Sequence, residues 1–198
     1  DLKIAIVYSK EEEKDWSFFR FLPHVWDANK TTRLIADTDA DIEALLNHFA
    51  NLADSRQRAA EEYRASLPTP FYVLIVTNPK YLNQITNAGR LLPHSPAKGM
   101  TTLIATGGSI PSGCRHVIEV QLDSNGALQG NVYPTSDRNN ITQFCPSPLS
   151  CKDVEEIVRS MAPIRLRAGK EGKGMPSFIS LFKGRKINST RDMRIEDA

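Results

Sequence analysis

Four short apolar runs rich in β-branched residues, at 2–8, 31–37, 70–77 and 101–106, alternate with segments of helical period, and this alternation constrains the fold of the 198-residue chain more than any other feature. Strands that alternate with helices are joined by crossover connections, and such connections build parallel sheets. A parallel sheet is covered on both faces, so its strands read as continuous apolar runs. The run Pro70-Phe-Tyr-Val-Leu-Ile-Val-Thr77 is the most apolar and is expected at the centre. With 40% hydrophobic residues, a chain of this length can bury a substantial core.

The connections are read from their period and punctuation. Residues 11–22 predict a helix with Phe18, Phe19 and Leu22 on its packed face, ended by Pro23. Thr38 and Asp41 form an approximate capping box before a long helix carrying Ile42, Leu45, Leu46, Phe49, Leu52 and Ala53. Its charged later part offers Asp54–Arg58 and Arg58–Glu62 pairs at four-residue spacing. Residues 80–92 predict another helix after the break at Asn78-Pro79. The pattern then changes: 116–122 and 127–133 flank Asp123-Ser-Asn-Gly126, which predicts an antiparallel hairpin at the edge of the sheet. Ser150 and Asp153 cap a helix with Val154, Ile157, Val158 and Met161 facing inward. Past Pro163, residues 169–174 read as a linker and 177–182 as a possible last strand. A domain at 1–166 and a basic segment at 167–198 are the expected division.

Catalytic machinery is hard to find. A phosphate-binding loop needs glycines whose amides wrap the phosphates, with a lysine and a hydroxyl at set spacing. After the first run the chain instead has Ser9-Lys-Glu-Glu-Glu-Lys-Asp15, whose three glutamates repel phosphate. The third run ends in Thr77-Asn78 where a metal-holding aspartate and a catalytic glutamate would stand. The glycine-rich loop Ala105-Thr-Gly-Gly-Ser-Ile-Pro-Ser-Gly113 could nest an anion or be a plain turn, and no lysine sits at motif spacing. There is no Gly-x-Gly-x-x-Gly and no Gly-x-Ser-x-Gly. Cys114, Cys145 and Cys151 match neither a disulfide framework nor a paired metal motif, although Cys114-x-His116 could be assembled with the others into an atypical zinc site. No catalytic, cofactor-binding or metal-binding residue is therefore assigned.

The first connection holds the most distinctive wording. Trp16-Ser-Phe-Phe-Arg-Phe-Leu-Pro-His-Val-Trp-Asp27 gathers two tryptophans and three phenylalanines with an arginine and a histidine. Its candidate interface residues are Arg20, Leu22, Pro23, His24, Trp26 and Arg33. For each there is a plainer role: core packing for the aromatics, a hydrogen-bonded histidine, and ion pairing for the arginines. That stretch, with Arg33-Leu-Ile-Ala36, Tyr72-Val-Leu-Ile-Val-Thr-Asn-Pro79 and Met161-Ala-Pro-Ile-Arg-Leu166, resembles the cytoplasmic region of type VII secretion ATPases of the EssC/YukB (EccC-like) FtsK/SpoIIIE family. The resemblance spans roughly residues 2–181, and it implies a position between membrane helices and the first P-loop ATPase module. It also implies a cytoplasmic domain of a membrane-anchored protein at the cell membrane, the segment itself being soluble. Adjacent ATPase modules and other secretion subunits would be its partners. ATP and magnesium are implied for the parent protein and no cofactor for this domain.

The net charge of +2 is uneven. From Arg159 onward ten Lys or Arg face four Asp or Glu, a charge of +6, so 1–158 carry 2 − 6 = −4. A basic tail can touch anionic lipid, nucleic acid or an acidic neighbour, or simply be a solvated linker. The combined expectation is an α/β, Rossmann-like, mainly parallel sheet related to P-loop NTPases, with an antiparallel edge hairpin. It would serve as a non-catalytic structural or regulatory module of a protein-secretion motor. The alternatives are a degenerate domain that still binds or hydrolyses ATP, and a DNA contact through the basic tail, with nucleic acid not expected as a main partner.

Overall fold

The computed structural model describes residues 2–27, 29–63, 68–92 and 95–164. The chain divides into units Asp1–Leu166 and Arg167–Ala198, and all described residues belong to the first. The linker and strand expected at 169–174 and 177–182 lie outside the described residues.

A four-stranded parallel sheet has the order β2-β1-β3-β4, built from β1 (Leu2–Val7), β2 (Ile35–Ala36), β3 (Phe71–Val76) and β4 (Met100–Ile104). The most apolar run does lie inside, beside β1. The helix α2 (Asp39–Tyr63) crosses one face, with Ile42, Leu46, Phe49, Ala50 and Ala53 buried at helical spacing. They pack on Ala5, Val7, Leu74 and Val76 of the sheet and on Tyr81, Leu82 and Leu91 of the next connection. Each large side chain buried this way contributes about 1.5–3 kcal/mol. Thr38 accepts the Asp41 N–H at 3.3 Å and donates its hydroxyl to the Asp41 carboxylate at 2.6 Å, as a capping pair should. Asp54 pairs with both Arg58 and Arg90.

The other face holds Ile6 and Tyr8 under Phe18, Leu22 and Val25, with Val158 of α3 (Cys151–Met161) added from far along the chain. Both faces of the inner strands are thus covered, by connections that cross on opposite sides.

Several expectations fail for physical reasons. Residues 11–22 are not one helix: a 3-10 turn at Lys10–Glu12, the single turn α1 (Glu13–Trp16) and a 3-10 stretch at Ser17–Phe21 replace it. Aromatic side chains lose rotamer freedom in an α-helix, and here packing Phe18, Phe19 and Phe21 onto the sheet sets the backbone. Residues 80–92 likewise form 3-10 segments at Pro79–Gln84 and Ala88–Arg90, interrupted at Ile85, whose backbone is extended, with the weak helix formers Thr86 and Asn87 after it. The second strand shrinks to Ile35–Ala36 because Thr31 and Thr32 are held in the Asp27 turn and Arg33 bridges Trp26 instead of joining the parallel sheet.

The hairpin is not on the edge of the parallel sheet. β5 (His116–Leu122) and β6 (Leu128–Pro134) form a separate antiparallel sheet, completed by the unanticipated β7 (Thr142–Phe144). Asp123 caps its turn, accepting the N–H groups of Asn125 and Ala127, both at 2.8 Å. Gly130 of this sheet lies under the Phe144 ring, so a Cβ there would collide with it. Ile157 of α3, expected inward, is half exposed. Among the described residues no helix is long and apolar enough to cross a membrane.

Candidate functional site

In an open α/β sheet, ligands bind at the carboxyl ends of the strands, where neighbouring crossovers diverge. Here that point lies between the ends of β1 and β3, whose connections leave toward opposite sides. The crevice is occupied by the protein itself. The Glu12 carboxylate accepts the Ser9 N–H at 2.9 Å and the Thr77 hydroxyl at 2.7 Å, joining residues 65 apart in sequence. Ser9 and Glu12 close a capping box at the start of the 3-10 turn. Partial burial opposes ionisation of Glu12, but the hydrogen bonds from Ser9 and Thr77, with Lys80 nearby, hold its carboxyl below the usual range. Glu11 is also held low, by the Ser9 hydroxyl first.

The Ser9 amide and the Thr77 hydroxyl are therefore both taken by a carboxylate of the same chain. Glu11 and Glu13 flank the Glu12 carboxylate, so the segment after β1 carries three consecutive negative charges and no glycine.

The second candidate region is the connection from β1 to β2. Trp26 and Arg33 form an isolated antiparallel bridge, and the Arg33 guanidinium lies 4.7 Å from the Trp26 ring centroid. Asp27 closes the intervening turn, accepting Thr31 N–H at 2.7 Å, the Thr31 hydroxyl at 2.8 Å and Thr32 N–H at 3.2 Å. Lys30 takes a left-handed conformation there, with φ of 57°. Phe18 stacks on Phe19 at 4.7 Å, and Arg159 of α3 caps Phe21 at 4.4 Å.

The six residues singled out in the sequence differ in exposure. Leu22 is core, 7% exposed, and its neighbour Pro23 starts a 3-10 turn. His24 is half-buried, with its Nδ1 shut away from any hydrogen-bond partner. Burial first, and then the Lys3 ammonium, push its imidazole below its ordinary value. Arg20 is exposed, donating to the Ser17 carbonyl at 2.7 Å, and is felt by Tyr8 at the far end of β1 from Lys3. Arg33 is exposed and lies over Trp26, whose ring is partly buried against the core.

Two structural features escaped sequence reasoning. The glutamate run is visible, but its partner Thr77 is brought to it only by the β1–β3 pairing. Arg56 reads as one more helix charge, yet it donates to the carbonyls of Lys98, Gly99 and Pro70 at 3.1, 3.3 and 3.0 Å. It thereby ties down the loops that enter β3 and β4. The described residues hold no group of three acidic, cysteine or histidine side chains placed to bind a metal. No protein-family model, curated protein or solved structure matches the chain.

Proposed function

We propose that this chain is a non-catalytic structural or regulatory module of a membrane-bound type VII protein-secretion motor, related to the EssC/YukB-like ATPases. On this reading its Rossmann-like sheet derives from a P-loop NTPase and no longer holds nucleotide. It works by contact with the adjacent ATPase modules and other secretion subunits at the cytoplasmic face of the membrane, through the Trp26–Arg33 surface.

One observation carries the reading: the Glu12 carboxylate sits where a doubly wound sheet would receive a phosphate, using the Ser9 amide and the Thr77 hydroxyl. An aromatic ring with a guanidinium across it at an exposed turn is the kind of group that anchors protein contacts.

The test has two arms. Calorimetric titration of the chain with Mg-ATP, followed by a phosphate-release assay, is expected to show neither binding nor turnover; tight binding with turnover overturns the proposal. A photo-crosslinker at Arg33 in the parent protein is expected to capture an ATPase module, and capture of none removes the assigned surface.

A further inference from the structure

β5 is the longest outer strand among the described residues, with seven residues against two in β2, five in β4 and three in β7. Sheet proteins blunt long edges with charged side chains, lysine above all, and with proline, bulges or a covering element, because unpaired backbone groups recruit another strand; here Glu119 is the one charge within the strand. The segment Arg115-His-Val-Ile-Glu-Val-Gln-Leu-Asp123 has no lysine or proline, and all of it except Val117 and Asp123 is exposed.

The ladder to β6 determines which groups are free. Asp123 N–H donates to the Ala127 carbonyl at 2.8 Å, and Thr135 N–H donates to the Arg115 carbonyl at 2.9 Å. Backbone direction alternates along an antiparallel strand, so the odd-numbered residues bond β6. His116, Ile118, Val120 and Leu122 therefore turn their N–H and C=O groups to the open edge. Their side chains share one face with Val132 and Leu128, and Phe144 lies across Gly130 on the same face. Ile118, Val120 and Leu122 are 66%, 51% and 67% exposed.

We propose that β5 pairs with β5 of a second copy of this chain, antiparallel about a two-fold axis at Glu119, so that two three-stranded sheets become one of six strands. In this register Ile118 faces Val120, Val117 faces Gln121 and His116 faces Leu122 of the other copy. All four outward-facing residues enter the ladder, giving about eight hydrogen bonds. The charges at the strand ends select the occupant and the register: Arg115 meets Asp123 of the second copy at both ends. A parallel, in-register copy would oppose Arg115 to Arg115, and a shift by two residues loses both ion pairs. Glu119 facing itself at the axis weakens the pairing and supplies its signature.

Sedimentation equilibrium of the 198-residue chain, from about 10 µM to about 1 mM, reads the association; an edge contact is small, so a weak dimer is expected. Glu119→Gln removes the central repulsion and tightens the dimer roughly two- to fivefold. Arg115→Glu replaces two attractions with two repulsions and weakens it by about fivefold or more. Wild type mixed with Glu119→Lys forms the heterodimer in preference to either homodimer. Val120→Pro deletes an outward N–H without touching the β6 ladder and abolishes association; if circular dichroism shows that it misfolds, Val120→Lys serves instead. A chain that stays monomeric at about 1 mM overturns the proposal. So does association that Glu119→Gln and Arg115→Glu leave unchanged, since it would use another surface.

Discussion

Removing the Thr77 hydroxyl tests the Glu12 contact directly. Thr77 is 8% exposed and its hydroxyl donates to Glu12 at 2.7 Å. Hydrogen bonds to charged groups contribute about 1.5–3 kcal/mol, and Glu12 is only partly buried, so the lower end applies. Thr77→Val is then expected to cost about 1.5 kcal/mol, a fall in Tm of roughly 3–6 °C for a chain of this size. Glu12→Gln weakens the same bond, so a double-mutant cycle with Thr77→Val should show a coupling of about 1 kcal/mol by urea denaturation at pH 7. The pH dependence supplies an independent check. The folded-state carboxyl of Glu12 lies below its ordinary value of 4.5, so the unfolded chain binds the proton more readily. Its stabilisation is complete above pH 4.5 and is lost as pH falls through the lower folded value. The stability difference between wild type and Glu12→Gln should therefore shrink below pH 4.5. Coupling below about 0.3 kcal/mol, with a pH-independent difference, would refute the argument.

Two further outcomes follow from local geometry. Gly130→Ala forces the new Cβ against the tip of the Phe144 ring, which is 38% exposed and must swing aside, and should cost the antiparallel sheet about 0.5–1.5 kcal/mol, read as faster amide exchange in β6 and β7; unchanged exchange would place Phe144 elsewhere. For His24 the sign runs the other way from a salt-bridged histidine, because burial and Lys3 lower its folded value. The unfolded chain then takes up more protons, so stability declines as pH falls below the ordinary value of 6.5 and levels off below the folded value. His24→Gln should remove that slope between pH 7.5 and 5.5, measured by thermal melts over about this range; a slope that persists assigns it to other groups.

Periodicity made much of the scaffold legible. Apolar runs such as 71–76 and the 3.6-residue spacing from Ile42 to Ala53 are local consequences of which faces must leave water. The capping pairs Thr38–Asp41 and Ser150–Asp153 are equally local, each spanning three residues. Other features depended on groups distant in sequence. The aromatic segment 17–21 has helical spacing but a 3-10 backbone, because packing against Ile6 and Tyr8 outweighs weak helix propensity. The hairpin was readable from Asn125-Gly126, whereas its separation from the parallel sheet and its third strand were not. Glu12 looks like a solvated charge until β1 and β3 pair and deliver Thr77 to it. Short-range preferences can be read one segment at a time, but a hydrogen bond closed between segments 65 residues apart exists only once the whole sheet has assembled.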